Sequence, residues 1–157
     1  MLSALSDVDR DSLIAIFKDD RVKCTYMVPD LDEETADRLF ERLKKLSHSS
    51  DRIVLGIYLE NELIGLINDT GIDDGAVELG WVISPAHHNC GYATEAVKAV
   101  IEKLLADGFR EIVAGAFSEN SASIRVMEKC SMTRIDKEET IEYRGISHRC
   151  VYYSIKK

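Results

Sequence analysis

The chain has 157 residues, the length of about one domain, and its 20 Lys and Arg against 28 Asp and Glu give a net charge of −8. This acidic balance disfavours duplex nucleic acid and anionic membrane surfaces as main partners, because both bind basic faces. The longest apolar run, residues 53–59, is far shorter than the roughly 18 residues of a membrane helix. Residues 1–10 also lack a secretion signal. We therefore expect a single cytoplasmic domain over residues 1–157, with no membrane span.

The sequence contains four widely spaced cysteines, Cys24, Cys90, Cys130 and Cys150. Without a secretion signal they are expected to be reduced thiols. His88-x-Cys90 and His148-x-Cys150 could together supply four zinc ligands. Both spacings are i,i+2, whereas zinc motifs more often use wider gaps. We therefore expect loop and strand residues here, and no metal site.

The first predicted elements are two helices and a hairpin. Ser6-Asp7-Val8-Asp9 precedes an apolar pattern and predicts a capped helix over residues 8–19. A one-face helical period predicts a second helix over 32–46. Two short apolar runs, residues 52–59 and 63–68, then predict an antiparallel hairpin.

The pattern next predicts a loop, a strand and the most regular helix of the chain. Residues 69–75 are rich in Asp and Gly and predict a loop, and residues 76–83 predict a strand. Apolar residues from Ala93 to Leu105 recur at helical spacing, and Gly108 is suited to end that helix. The last predicted elements are a strand over 110–117, a helix over 120–129 and a hairpin of strands 132–141 and 147–155.

A strand, a crossover helix and a second strand between residues 76 and 117 imply one parallel pair in an otherwise antiparallel sheet. The predicted fold class is therefore mixed α/β, or α+β, in one domain with about four helices flanking the sheet.

The segment from Ser84 to Ala96 carries the strongest indication of chemistry. A strand ends, a loop follows, and a helix begins at Tyr92 or Ala93, with Gly91 at its mouth. Because glycine has no Cβ, a ligand can approach the backbone closely there. The first-turn N–H groups lack acceptors inside the helix and favour an anion. The alternative is a plain strand-to-helix connection with a capping glycine.

Residues 88–93, His-Asn-Cys-Gly-Tyr-Ala, resemble the acetyl-CoA loop of the GNAT superfamily of N-acetyltransferases, Gln/Arg-x-x-Gly-x-Gly/Ala. Residues 120–129 and 78–85 resemble two further motifs of its branch of ribosomal-protein N-terminal alanine and serine acetyltransferases. The three motifs occur in the family order, and the resemblance spans residues 8–155. It implies a GNAT-like fold in which the two parallel strands part.

The sequence departs from the family pattern at four places. His88 replaces the usual Gln or Arg, and Ser131 stands where the branch usually has Gly. Met127 stands where many members have a Tyr general acid. The first strand is at most the stub Leu2 to Leu5.

The resemblance implies that acetyl-CoA is the donor. His88 would contact phosphate or cap the loop, and the pyrophosphate would lie on backbone N–H groups of Asn89, Cys90, Gly91, Tyr92, Ala93 and Thr94. The pantetheine would pair with the strand backbone at Trp81, Val82 and Ile83. Asn120 would contact the pantetheine arm, with Ser123 one turn further on. The alternatives are a helix N-cap for Asn120 and a packing role for Ser123.

The implied reaction is direct attack of a primary amine, either a protein N-terminus or a small amine, on the thioester. The amine must be neutral, so a general base is useful. Glu78 is the candidate base, acting through a water, and Glu142 is the second candidate. Ser123 is the candidate acid, with Tyr92 and Tyr143 as substitutes. A solvated carboxylate is the alternative for either Glu.

Two functions remain open at this point. The first is an N-acetyltransferase that acts on an amine acceptor. The second is a non-catalytic module that binds acetyl-CoA as a sensor or structural ligand, which the absence of Tyr at Met127 allows. The acceptor and the oligomeric state, with a homodimer as one alternative, are not predicted.

Overall fold

The computed structural model describes residues 1–157. Its helices are α1 (Arg10–Lys18), α2 (Asp20–Lys23), α3 (Glu33–Ser47), α4 (Tyr92–Ala106) and α5 (Ser121–Lys129). Its strands are β1 (Leu2–Ser3), β2 (Val54–Leu59), β3 (Glu62–Asp73), β4 (Ala76–Ile83), β5 (Glu111–Phe117), β6 (Thr133–Tyr143) and β7 (Ile146–Lys156). Short 3₁₀ turns occupy Asp7–Asp9 and Pro85–His87. None of the helices is both long and apolar enough to cross a membrane.

The seven strands form one sheet in the order β1-β2-β3-β4-β5-β7-β6. The β1–β2, β2–β3, β5–β7 and β6–β7 pairs are antiparallel, and β4–β5 is parallel. The parallel register runs only from Ala76 opposite Glu111 to Glu78 opposite Val113, although β4 continues to Ile83. The predicted mixed sheet with a splayed parallel pair is therefore confirmed, and five helices replace the expected four.

The chain divides into two compact units, unit 1 with residues 1–69 and 81–92 and unit 2 with residues 70–80 and 93–157. In unit 1, α1 buries Leu13 and Phe17, and α3 buries Phe40, in one apolar cluster with strand residues that include Leu66. Burial of such side chains is the main favourable contribution to folding. The α3 helix begins where Asp32 accepts a hydrogen bond from the backbone N–H of Thr35.

Unit 2 contains α4, α5 and the β5–β7–β6 part of the sheet. The apolar face of α4 is buried, as its spacing predicts, with Val97 fully inaccessible. A smaller cluster is formed by Phe117, Cys150 and Tyr152. Because Phe117 lies opposite Cys150 in the register, these side chains share one face of the sheet.

Two predicted boundaries are wrong. The helix expected over residues 8–19 is a 3₁₀ turn followed by α1, because buried Asp9 accepts hydrogen bonds from the Ser6 N–H and the Tyr58 hydroxyl. Residues 69–73 continue β3 and are not a loop. The turn is confined to Asp74 and Gly75, whose φ values of 41° and 76° suit a two-residue hairpin turn.

Asp69, at the point where a loop was expected, is one of the few buried charged side chains. It accepts hydrogen bonds from the Ile53 N–H at 2.7 Å and from Arg52 Nε at 2.8 Å. Asp69→Ala is expected to lower the free energy of unfolding by about 2 kcal/mol, because two partly buried donors lose a charged acceptor. Chemical denaturation measures this change.

Asp107→Ala is the matched control. Asp107 directly follows α4 and pairs with Lys103 of that helix at the exposed surface, where loss of an ion pair costs at most about 0.5 kcal/mol. Equal destabilisation by the two variants would contradict a structural role of the Asp69 contacts.

Candidate active site

The loop between β4 and α4 is fixed by contacts of its own residues. The Ser84 N–H donates to the Ile64 carbonyl at 2.7 Å, and Pro85–His87 form a 3₁₀ turn. His88 Nε2 lies 2.9 Å from the Ile83 carbonyl oxygen, so this nitrogen carries the proton. His88, which was predicted to contact phosphate or cap the loop, therefore uses Nε2 to hold the loop against the end of β4.

The backbone turns sharply before α4. Asn89 and Gly91 have φ values of 60° and 86°, a region that glycine adopts without strain. A Cβ added to Gly91 would meet no protein atom within 4 Å, so this backbone faces open space. Asn89, Cys90 and Gly91 are exposed, and α4 begins at Tyr92. The first N–H groups of α4 follow this exposed segment and lack intrahelical acceptors.

Cys90 and His87 make few side-chain contacts within the loop. The Cys90 thiol is exposed and donates to the His88 carbonyl at 3.4 Å. His87 Nδ1 is buried without a hydrogen-bond partner, and its ring centroid lies 6.1 Å from that of Tyr92. The structure brings no three His, Cys, Asp or Glu side chains into an arrangement that could hold a metal ion.

The backbone N–H and C=O groups of residues 81–83, at the end of β4, point alternately to the two edges of the strand. A Cβ on Gly65 would lie 2.4 Å from the Val82 carbonyl oxygen, so this carbonyl points towards β3. Because backbone groups alternate along a strand, those of Trp81 and Ile83 point to the other edge. The Ile83 carbonyl already accepts from His88, which leaves the N–H and carbonyl of Trp81 and the N–H of Ile83 at that edge.

Asn120 and Ser123 lie together at the start of α5. Asn120 Oδ1 accepts from the Ser123 N–H at 3.2 Å, and Asn120 Nδ2 donates to Ser123 Oγ at 3.1 Å. Asn120 therefore acts as the helix N-cap, and its amide keeps one N–H for another partner. Met127 is fully buried on this helix.

Glu78, the candidate base, is paired with a cation that the sequence did not indicate. Its Oε2 lies 3.8 Å from Lys137 Nζ, and the same Nζ lies 3.5 Å from Glu139 Oε1. The Lys137 ammonium is also 3.9 Å from the centroid of the Tyr152 ring. The Tyr152 ring can occupy this position because the neighbouring Gly115 has no side chain. A Cβ at Gly115 would lie only 2.6 Å from the Tyr152 ring.

The hydroxyl of Tyr152 donates to Glu139 Oε2 at 2.7 Å. This hydrogen bond lowers the pKa of Glu139. Burial, and then Glu139, raise the pKa of Tyr152. Burial also raises the pKa of Cys150, and the nearby carboxylates, Glu78 among them, raise it further. Glu139 therefore stays ionised near neutral pH, while Tyr152 and Cys150 keep their protons.

The other candidates lie on the β6–β7 hairpin. Glu142, the second candidate base, accepts a hydrogen bond from Ser147. Tyr143 packs near Phe117 and His148, and His148 Nδ1 lies 2.5 Å from Glu119 Oε1. This contact lowers the pKa of Glu119.

Sequence reasoning missed Lys137, Glu139 and Tyr152. Arg134 lies opposite Tyr153 and Glu138 opposite Val151, so β6 bulges between these pairs. A bulge redirects side chains, and nothing in the alternation of the sequence marks its position.

Comparison with known proteins identifies the family of this chain. The model of the acetyltransferase (GNAT) domain matches residues 1–133. The chain therefore belongs to the GNAT family of acetyltransferases, as the three motifs indicate.

Two relatives from Bacillus subtilis carry the names of uncharacterized N-acetyltransferases. YnaD is 44% identical over 62 residues, an alignment that covers 36% of this chain and 34% of that protein. YoaA is 28% identical over 164 residues, covering 100% of this chain and 93% of its own length.

Among solved structures, the fold is similar to that of RimL, a ribosomal L7/L12 α-N-protein acetyltransferase, in complex with coenzyme A. The TM-score is 0.84 at 16% identity, and the match covers 99% of this chain and 92% of that one. The coenzyme A of that complex is disulfide-bonded to a cysteine of RimL.

Proposed function

We propose that the chain transfers the acetyl group of acetyl-CoA to a primary amine in the cytoplasm by direct attack of the amine on the thioester. The observation that carries this proposal is the open start of α4, where an exposed loop with Gly91 at its end leads from a strand into the helix. Membership of the GNAT family and the coenzyme A complex of RimL support the same donor.

For donor binding, the N–H groups of residues 89–94 would hold the pyrophosphate, which the positive end of α4 favours. His88 would keep the loop in shape through its bond to Ile83. The backbone groups of Trp81 would pair with pantetheine amides as an added strand does. The remaining N–H of Asn120 is suited to a carbonyl of the pantetheine arm.

For the transfer, Glu78 would accept the proton of the amine, directly or through water. Its side chain is 35% exposed, so both an amine and a water molecule can reach it. With Glu139 it favours a cationic acceptor, either a protein N-terminus or a small amine. Ser123 remains the candidate acid for the leaving thiolate.

Thermal unfolding with and without acetyl-CoA tests donor binding, with ATP and NAD as controls. Ligand at 100 times its dissociation constant should add ~2.7 kcal/mol of stability. For a chain of this size, that is a shift in Tm of roughly 5–11 °C. No selective shift would contradict the proposal at its first step.

Turnover is then measured as release of coenzyme A thiol with a panel of small amines and N-terminal peptides. Thiol release that depends on the amine is the expected result. Selective binding of acetyl-CoA with no turnover on any amine would instead support the alternative of a non-catalytic binding module.

A further inference from the structure

The amine that lies beside the candidate base belongs to the chain itself. Lys137 Nζ is 3.8 Å from Glu78 Oε2, a distance at which a small movement of either side chain makes a hydrogen bond. The Lys137 side chain is 41% exposed, so the ammonium is accessible from solvent. A molecule that reaches Glu78 therefore meets a primary amine already in place.

The position of Lys137 is determined by several contacts. It lies in the β6 bulge, which directs it onto the face of the sheet that carries Glu139 and Tyr152. The aromatic ring and the second carboxylate hold the ammonium there by cation–π and ion-pair attraction.

A second Lys–Glu pair of unit 2, Lys156 with Glu111, has neither an aromatic ring nor a second carboxylate at its ammonium. Lys156 Nζ lies 3.7 Å from Glu111 Oε1, and its side chain is 69% exposed. Lys156 thus has nearly the same distance to a carboxylate, but that carboxylate is not a candidate base.

We propose that Lys137 is an acetyl acceptor, modified by the chain's own active site in cis. The proposal rests on the proposed function, because it uses the same donor and the same base. It names one particular primary amine as a substrate of the site and makes Lys137 a modification site of this chain.

The step balances without any further reactant. The Lys137 ammonium gives one proton to Glu78, and the lone pair of Nζ attacks the thioester carbonyl carbon. The C–N bond forms, the tetrahedral intermediate collapses, and the C–S bond breaks. The leaving thiolate takes a second N–H proton, and Glu78 passes the first to water. The products are acetyl-Lys137 and the free thiol of coenzyme A.

The test uses the full chain and acetyl-CoA with an isotopically heavy acetyl group, so that acetylation acquired during expression is distinguishable. Peptide mass spectrometry follows heavy acetate at each lysine over time. Lys137 is expected to acquire label at least about tenfold faster than Lys156, because a positioned group reacts at a high effective concentration. The rate constant should not change when the protein is diluted.

Two variants sharpen the result. Glu78→Gln should reduce labelling of Lys137 to the rate of Lys156 and leave Lys156 unchanged. Lys137→Arg keeps the positive charge, and it should remove the fast label while thiol release with an added amine persists.

Three outcomes would overturn the proposal. These are labelling of Lys137 no faster than Lys156, a rate that rises with protein concentration, or fast labelling that survives Glu78→Gln. Turnover of an added amine without label at Lys137 would overturn this inference alone. Absence of both label and thermal stabilisation by acetyl-CoA would overturn it together with the proposed function.

Discussion

Gly91→Glu is expected to weaken acetyl-CoA binding at least about 100-fold, which is ~2.7 kcal/mol at 25 °C. The new side chain would extend into the open space before α4, where a Cβ meets no protein atom within 4 Å. Its carboxylate would repel the phosphates and occupy the N–H groups that are proposed to bind them. Isothermal titration calorimetry with acetyl-CoA measures the change in Kd.

Gly108→Glu is the matched control, because Gly108 follows the other end of the same helix. Its φ of 106° is also positive, and a Cβ there likewise meets no atom within 4 Å. The two variants add the same backbone strain and the same negative charge, but only Gly91→Glu adds the charge at the N-terminus of α4. An equal loss of affinity in both, or no loss at Gly91, would remove the phosphate-binding role of the loop.

Glu78→Gln is expected to lower kcat by about 10²–10⁴-fold, the usual contribution of a positioned general base. The amide has the same shape as the carboxylate but cannot accept a proton from the amine. Because the base does not contact the pyrophosphate, the Kd for acetyl-CoA should stay the same. Thiol-release kinetics and calorimetry on the same preparation separate the two quantities.

Glu139→Gln removes the same charge from the other side of Lys137 and serves as the comparison. Its amide oxygen can still accept the hydrogen bond that Tyr152 donates. We expect a higher KM for cationic amines and a kcat within about tenfold of the unmodified chain. Equal losses of kcat in the two variants would mean that Glu78 acts only through its charge.

Much of the donor loop could be predicted, because its determinants are local. The apolar spacing of α4, the glycine at its mouth and Pro85 after β4 each restrict the backbone within a few residues.

The register at the closed end of the β6–β7 hairpin is also determined locally. A two-residue turn at Arg144-Gly145 places Glu139 opposite Cys150.

The acceptor side could not be predicted in the same way. The position of Lys137 depends on the β6 bulge, and that of Tyr152 on the absence of a side chain at Gly115 in a neighbouring strand. Both depend on register between strands distant in sequence, which residue spacing does not determine. The extension of β3 through Asp69 was missed for a related reason, since the pairing of the buried Asp69 carboxylate with Arg52 overrides the turn preference of Asp and Gly.

The β6 bulge lies on the outermost strand of the sheet, next to β7 alone. Outer strands carry unpaired N–H and C=O groups that can recruit further strands into aggregates. Here the 11-residue β6 is interrupted by extra residues and carries Arg134, Lys137 and Glu138 along its length. A second chain could align with it over only a few residues before meeting the irregular backbone and its charges. The same irregularity that directs a lysine towards Glu78 thus protects this edge from polymerisation.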